Sequence, residues 1–115
     1  MEFHEYQELS KKTVDYPLLG PPRGRRVPWI YPALGLAGET GEIVEKVKKL
    51  VRDANLEVTL DQKNGIRDEL GDLLWYMAQM ATGLGISLDE VATSNLAKLS
   101  SRSLRGTVRG QGDSR

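Results

Sequence analysis

Gly38-Glu39-Thr40-Gly41-Glu42 and, about thirty residues later, Asp68-Glu69-Leu70-Gly71-Asp72 decide how this chain reads. Each phrase sits inside a stretch with helical periodicity, and residues three apart on a helix share a face. Glu39 and Glu42 therefore aim together, as do Glu69 and Asp72. Two such helices side by side would gather four carboxylates, the ligand set of a hard divalent cation.

Working outward, the first acidic phrase belongs to a helix expected from Ala33 to Arg52, with Leu36, Ile43, Val47 and Leu50 on one stripe and Glu39, Glu42, Lys46 and Lys49 on the next. The second belongs to a helix capped by Asp61 or Asn64, running to Leu84 and stopped by Gly83 and Gly85. Its apolar stripe is Ile66, Leu70, Leu73, Met77, Met80 and Leu84, with Glu69, Asp72, Tyr76 and Gln79 alongside. Packing both apolar stripes inward predicts a carboxylate cluster at the margin of one interface.

Phe3 to Val14 reads as a first helix, closed by Pro17. From Pro17 to Pro32 the chain holds all five prolines with Arg23, Arg25 and Arg26, which describes an irregular loop bearing Trp29 and Tyr31. Ser87-Leu88-Asp89-Glu90 predicts a capping box and a fourth helix with Leu88, Val91, Ala92, Leu96 and Leu99 inward and Asn95, Lys98 and Arg102 on the adjacent face. The expectation is an all-α, four-helix bundle-like domain over residues 1–102, followed by a Gly-rich basic tail over 103–115.

The 115 residues carry sixteen basic and sixteen acidic side chains, so net charge gives no reason to expect polymeric nucleic acid or a membrane as partner. There is no cysteine, which excludes disulfides and thiolate zinc sites. The single histidine, His4, lies in neither acidic segment, so the Glu-x-x-His pairs of ferritin-like di-iron bundles are missing and His4 reads as a surface residue. No apolar run reaches the roughly 18 residues of a membrane span, and Met1-Glu2-Phe3-His4-Glu5 lacks the pattern of a signal peptide. A cytoplasmic location is the expectation.

Carboxylates that hold magnesium loosely do so most often to receive a phosphorylated substrate. Lys46, Lys49, Lys98 and Arg102 occupy faces from which they could neutralise phosphate oxygens, although Lys46, Lys48 and Lys49 also read as a solvated stripe paired with acids such as Glu45. Trp75 reads as packing. Tyr76 divides between packing and a hydroxyl turned to a bound ligand. Trp29 offers a stacking face to a base, and Arg105, Arg109 and Arg115 read either as solubilising charge or as an arm touching phosphate on a neighbouring subunit.

Gly35-Leu36-Ala37-Gly38-Glu39-Thr40-Gly41-Glu42, then Glu69-Leu70-Gly71-Asp72-Leu73-Leu74-Trp75-Tyr76, then Asn95-Leu96-Ala97-Lys98-Leu99 resemble the ExxE, ExxD and NxxKL motifs of the MazG-type all-α nucleoside triphosphate pyrophosphohydrolases. The resemblance spans Tyr6 to Arg102, and the tail is similar to the Gly-rich extension of small MazG-like members. It implies hydrolysis of a (deoxy)nucleoside triphosphate between the α and β phosphates, to a monophosphate and pyrophosphate. It also implies two or three Mg²⁺ or Mn²⁺ ions held by Glu39, Glu42, Glu69 and Asp72, with one acid orienting water. Asn95 and Lys98 match positions that meet water or phosphate, Lys49 the basic position after ExxE, and Gln7 a helix bordering the base pocket. Dimers or tetramers with sites drawn from more than one subunit are implied as well. A purine deoxynucleotide such as dGTP is the expected substrate, because the loop carries arginines and Trp29. The alternatives are phosphoribosyl-ATP pyrophosphohydrolase and a catalytically silent helical module for self-association or partner binding.

Overall fold

A computed structural model describes residues 1–17 and 27–112. The part of the expected loop that carries Arg23, Arg25 and Arg26, and the tail's Arg115, lie outside the described residues. Four α-helices and no strand occur among the described residues: α1 (Phe3–Ser10), α2 (Ile30–Asp53), α3 (Leu60–Leu84) and α4 (Leu88–Leu104). The all-helical expectation holds, while several helix ends differ from it for local reasons.

The first helix does not run to Val14. It tightens into a 3₁₀ turn at Lys11–Thr13, where the Ser10 hydroxyl donates to Gln7 O at 2.9 Å and the Thr13 hydroxyl to Ser10 O at 2.9 Å. Hydroxyls that bond back to the preceding turn compete with the regular ladder. Helix α2 starts at Ile30, three residues before the expected Ala33, because Pro32 falls in the first turn where its missing N–H is not needed. The N-cap of α3 is Thr59 rather than Asp61 or Asn64: Thr59 N donates to Gln62 Oε1 at 2.9 Å and Gln62 N to Thr59 Oγ1 at 3.3 Å. That reciprocal pair is a capping box with glutamine as its far member.

Gly85 ends α3 in the left-handed region, at φ 71°, with Ile86 N donating to Ala81 O at 2.8 Å. Gly83 lies inside the helix instead of stopping it, and a side chain there would meet the backbone of Pro28 and Trp29 at 3.0–3.2 Å. Ser87 caps α4 as expected, but by accepting from Asp89 N at 3.1 Å and not through the expected capping box with Glu90.

Helices α2 and α3 form the main interface. Gly35 lies against Tyr76, Glu39 beside Asp72 and Lys46 on Glu69, so numbers rise on α2 as they fall on α3 and the pair is an antiparallel hairpin. Helix α1 crosses α3, held by Gln7, whose Nε2 donates to Thr82 Oγ1 at 3.0 Å and Ile86 O at 2.9 Å while its Oε1 accepts from Leu88 N at 2.8 Å. Ser10 accepts from Gln79 Nε2 at 2.8 Å, and Trp75 Nε1 donates to Thr13 Oγ1 at 2.8 Å. Tyr16 stacks on Tyr31 and meets the edge of Trp75, which itself packs edge-on against Tyr76. Trp75 is thus a packing residue, as its position predicts.

The core is small: Pro32, Leu50, Ala78, Ala81 and Leu88 are the buried apolar residues among those described, and Tyr6 packs against the cluster of Ala78, Ala81 and Leu88. The expectation that both apolar stripes face inward fails in part. Val44, Val47 and Val51 on α2 and Leu70, Met77 and Leu84 on α3 are all at least 40 % exposed. At about 100° per residue these six fall on one face of the hairpin, opposite the side of α3 that carries Trp75, Gln79 and Thr82 and receives α1. Helix α4 packs on α1, leaving Val91, Leu96 and Leu99 exposed where an inward face was expected. The radius of gyration of 17.5 Å, against about 13 Å for a compact chain of this length, agrees with these uncovered surfaces.

Candidate metal centre

The α2–α3 register brings Glu39 level with Asp72, and Glu69 follows one turn away. One carboxylate oxygen from each of Glu39, Glu69 and Asp72 lies within 4.8 Å of the others. Burial pushes the Glu39 carboxyl above its usual range, and the charges of Asp72, Glu42 and Glu69, with a hydrogen bond that the protonated Glu39 carboxyl donates to Glu69, push it the same way. The cluster is therefore an assembly of acids that repel one another.

Glu42, the fourth expected ligand, stands one turn on at an exposed position, close enough for its charge to act on Glu39. It lines a depression of about 340 Å³ with Gly38, Gly41, Glu45, Lys46 and Lys49. Among the described residues nothing lies within 4 Å of where a side chain would project from Gly38, Gly41 or Gly71, so the glycines of both acidic phrases leave the approach open.

Oxygens around one magnesium ion at about 2.1 Å stand roughly 3–4 Å apart. The three carboxylates need only a small side-chain adjustment to reach that spacing. Three hard oxygen donors carrying repulsion that a dication would cancel fit Mg²⁺ or Mn²⁺.

Tyr76 runs beside the cluster, its ring against the α2 backbone at Gly35. Burial raises its phenol above the usual value, and Tyr31, Glu39, Asp72 and Asp15 add to this, which puts the hydroxyl within the field of the acids. Tyr6 of α1 was not foreseen as a neighbour of the site. Burial first and Asp72 second raise its phenol, and only the α1–α3 crossing brings the two together.

The remaining candidates fall elsewhere. Asn95 and Lys98 line a separate depression of about 390 Å³ with Glu90, Val91 and Ser94 of α4 and Ile86 of the connection before it. Arg102 is buried, with only 4 % of its surface exposed, in the last turn of α4, where its carbonyl accepts from Thr107 N at 2.8 Å. The Gln7 amide is buried and fully engaged in joining α1 to the α3–α4 connection. Trp29 precedes α2, against Gly83 and about 15 Å along the helix from Glu39. Lys49 pairs with Glu45 at 3.6 Å, a pair that Lys48 shares. Arg109 is exposed in the described part of the tail, and His4 lies at the surface, 3.5 Å from Asp89.

An all-helical chain that gathers carboxylates from two antiparallel helices carries an acidic cluster whose donors fit a hard cation. The sequence profile of the MazG nucleotide pyrophosphohydrolase domain matches residues 32–105. The gene 37 protein of Mycobacterium phage L5 is 46% identical over 85 residues, covering 74% of this chain and 75% of that protein. The chain belongs to the MazG nucleotide pyrophosphohydrolase family. No solved structure matches it. No described helix is long and apolar enough to cross a membrane.

Proposed function

We propose that the chain hydrolyses a (deoxy)nucleoside triphosphate between its α and β phosphates, yielding the monophosphate and pyrophosphate. The observation that carries this reading is the meeting of Glu39, Glu69 and Asp72 across the hairpin, in a chain of a nucleotide pyrophosphohydrolase family. Glu39, Glu69 and Asp72, joined by Glu42, hold two or three Mg²⁺ or Mn²⁺ ions. When bound, such ions supply charge neutralisation of the phosphates and acidification of water. One of these acids also orients the attacking water or accepts its proton. Tyr76 offers its hydroxyl to a sugar or phosphate at the edge of the cluster. Trp29, 40 % exposed, offers a stacking face, and a purine deoxynucleotide such as dGTP is the favoured substrate.

Asn95, Lys98 and Arg109 contribute from a second copy in a dimer or tetramer. Supporting this, α4 leaves its own hairpin to pack on α1, and the valine and leucine face of the hairpin is uncovered. Arg102 and Gln7 hold the architecture of that arm, and Lys49 lies at the edge of the phosphate path.

The test is pyrophosphate release from each of the eight common NTPs and dNTPs, with magnesium and then manganese. Metal-dependent release with dGTP among the best substrates is expected, whereas no metal-dependent release from any nucleotide sinks the reading. Self-association is checked by sedimentation. The parent chain should run as a dimer or larger, and Met77→Glu, which puts a charge at the centre of the uncovered face, should shift it to monomer.

A further inference from the structure

Lys46 makes a contact that the helical pattern did not assign. Its ammonium lies 3.2 Å from Glu69 Oε1, and the Glu69 side chain is only 14 % exposed. Among the described residues this is the one ion pair made by any member of the Glu39, Glu69 and Asp72 cluster. Neighbouring lysines are held elsewhere, Lys48 and Lys49 both pairing with Glu45. Lys46 also borders two depressions, one with Glu42 and Gly41 and one of about 310 Å³ with Leu50, Asp61, Gln62 and Ile66. Beneath it, Gly65 presents no side chain, and the lysine nitrogen is 3.5 Å from where a methyl would stand. The ammonium therefore has space to withdraw to.

We infer that Lys46 is a tethered counter-cation of the acid cluster, holding Glu69 while no divalent ion is bound and yielding that carboxylate when one arrives. Three acids this close together are unfavourable without positive charge. A lysine on the facing helix supplies one charge at no cost in association, and its long flexible stem lets it leave. Lys46 then does two opposing things. It keeps the metal-free hairpin closed, and it competes with the metal for Glu69, setting the affinity of the site below that of the carboxylates alone. Lys46 is a positioning residue in this scheme, acting through Glu69, and the inference rests on the proposed metal site.

The test is calorimetric titration of the full chain with Mn²⁺ in the absence of nucleotide, for the parent and for Lys46→Met, Lys46→Gln and Lys46→Arg. Folding is checked by far-ultraviolet circular dichroism. The two neutral variants should bind Mn²⁺ about three- to tenfold more tightly than the parent, and their melting temperatures without metal should fall while the rise on adding Mn²⁺ grows. Lys46→Arg, which keeps the charge, should bind as the parent does. Unchanged or weaker Mn²⁺ binding in both neutral variants, with a parent that binds, overturns the inference and leaves the metal site standing. A parent that binds no Mn²⁺ overturns both. A merely structural ion pair would lower stability in the variants without tightening metal binding.

Discussion

Glu39→Gln should lower metal-dependent turnover by about a thousandfold and, at the same time, raise the melting temperature of the metal-free protein. Both effects come from the same geometry. The amide keeps the shape and polarity of the side chain but removes one of the negative charges that meet within 4.8 Å, so the hairpin loses repulsion and the site loses a cation ligand. The sign with pH follows from the raised carboxyl of Glu39. A group that holds its proton more tightly folded than unfolded adds stability that is fully present below its unfolded pKa. That stability is lost as pH rises through its folded pKa. The parent in chelator should therefore lose stability as pH rises from the ordinary glutamate range into the raised one, and the glutamine variant should lose less. Thermal melts of both proteins between about pH 4 and 7, paired with pyrophosphate assays at saturating manganese, check the result. A variant that melts lower at every pH, or turns over like the parent, would show that Glu39 belongs to the packing and not to the site.

Gly35→Ala should be the most damaging single-methyl change in the hairpin. The added carbon would stand 2.2 Å from Tyr76 Cε1, 2.4 Å from Cδ1 and 2.5 Å from Cζ. Those atoms belong to a ring that is wedged, not to the free end of a flexible chain. Trp75 packs edge-on against the ring from the same helix, with centroids 5.0 Å apart. The helices would have to separate or the ring leave its place, at a cost of about 3 kcal/mol, which for a chain of this size lowers the melting temperature by roughly 10 °C or more. Because the ring is the obstacle, Gly35→Ala with Tyr76→Leu should recover part of the loss, whereas the same alanine with Tyr76→Phe should recover none. Chemical denaturation of the single and double variants measures the coupling. Additive losses would mean that the alanine acts through helix geometry elsewhere.

Much of this was legible in the residues because it is local. Three-residue spacing put Glu69 with Asp72 on α3, and the matching phase of α2 brought Glu39 to them. The cap at Thr59 and Gln62 was legible too, since threonine followed three residues later by glutamine is a capping pattern, but two nearer acidic and amide residues competed for the assignment. What the pattern could not supply is direction in space. Val47, Leu70 and Met77 have the spacing of a core stripe, yet a helix with two apolar flanks does not announce which one its sequence neighbour will cover. The pairing of Lys46 with Glu69 depends on the register of two helices, and the proximity of Tyr6 to Asp72 on a crossing of α1 over α3. Gln7 shows the same limit from the other side: a polar residue on a helix face reads as available, and only the fold reveals an amide whose bonds are spent inside the molecule.

The small core has a consequence for how much protein must be present. A chain that buries only Pro32, Leu50, Ala78, Ala81 and Leu88 among its described apolar residues has little free energy of its own to oppose the entropy of the unfolded state. If copies cover one another's exposed valines and leucines, folding becomes a reaction of second or higher order in chain, and its midpoint shifts with concentration. Dilution would then lower the folded fraction, and a higher concentration of chain would raise it.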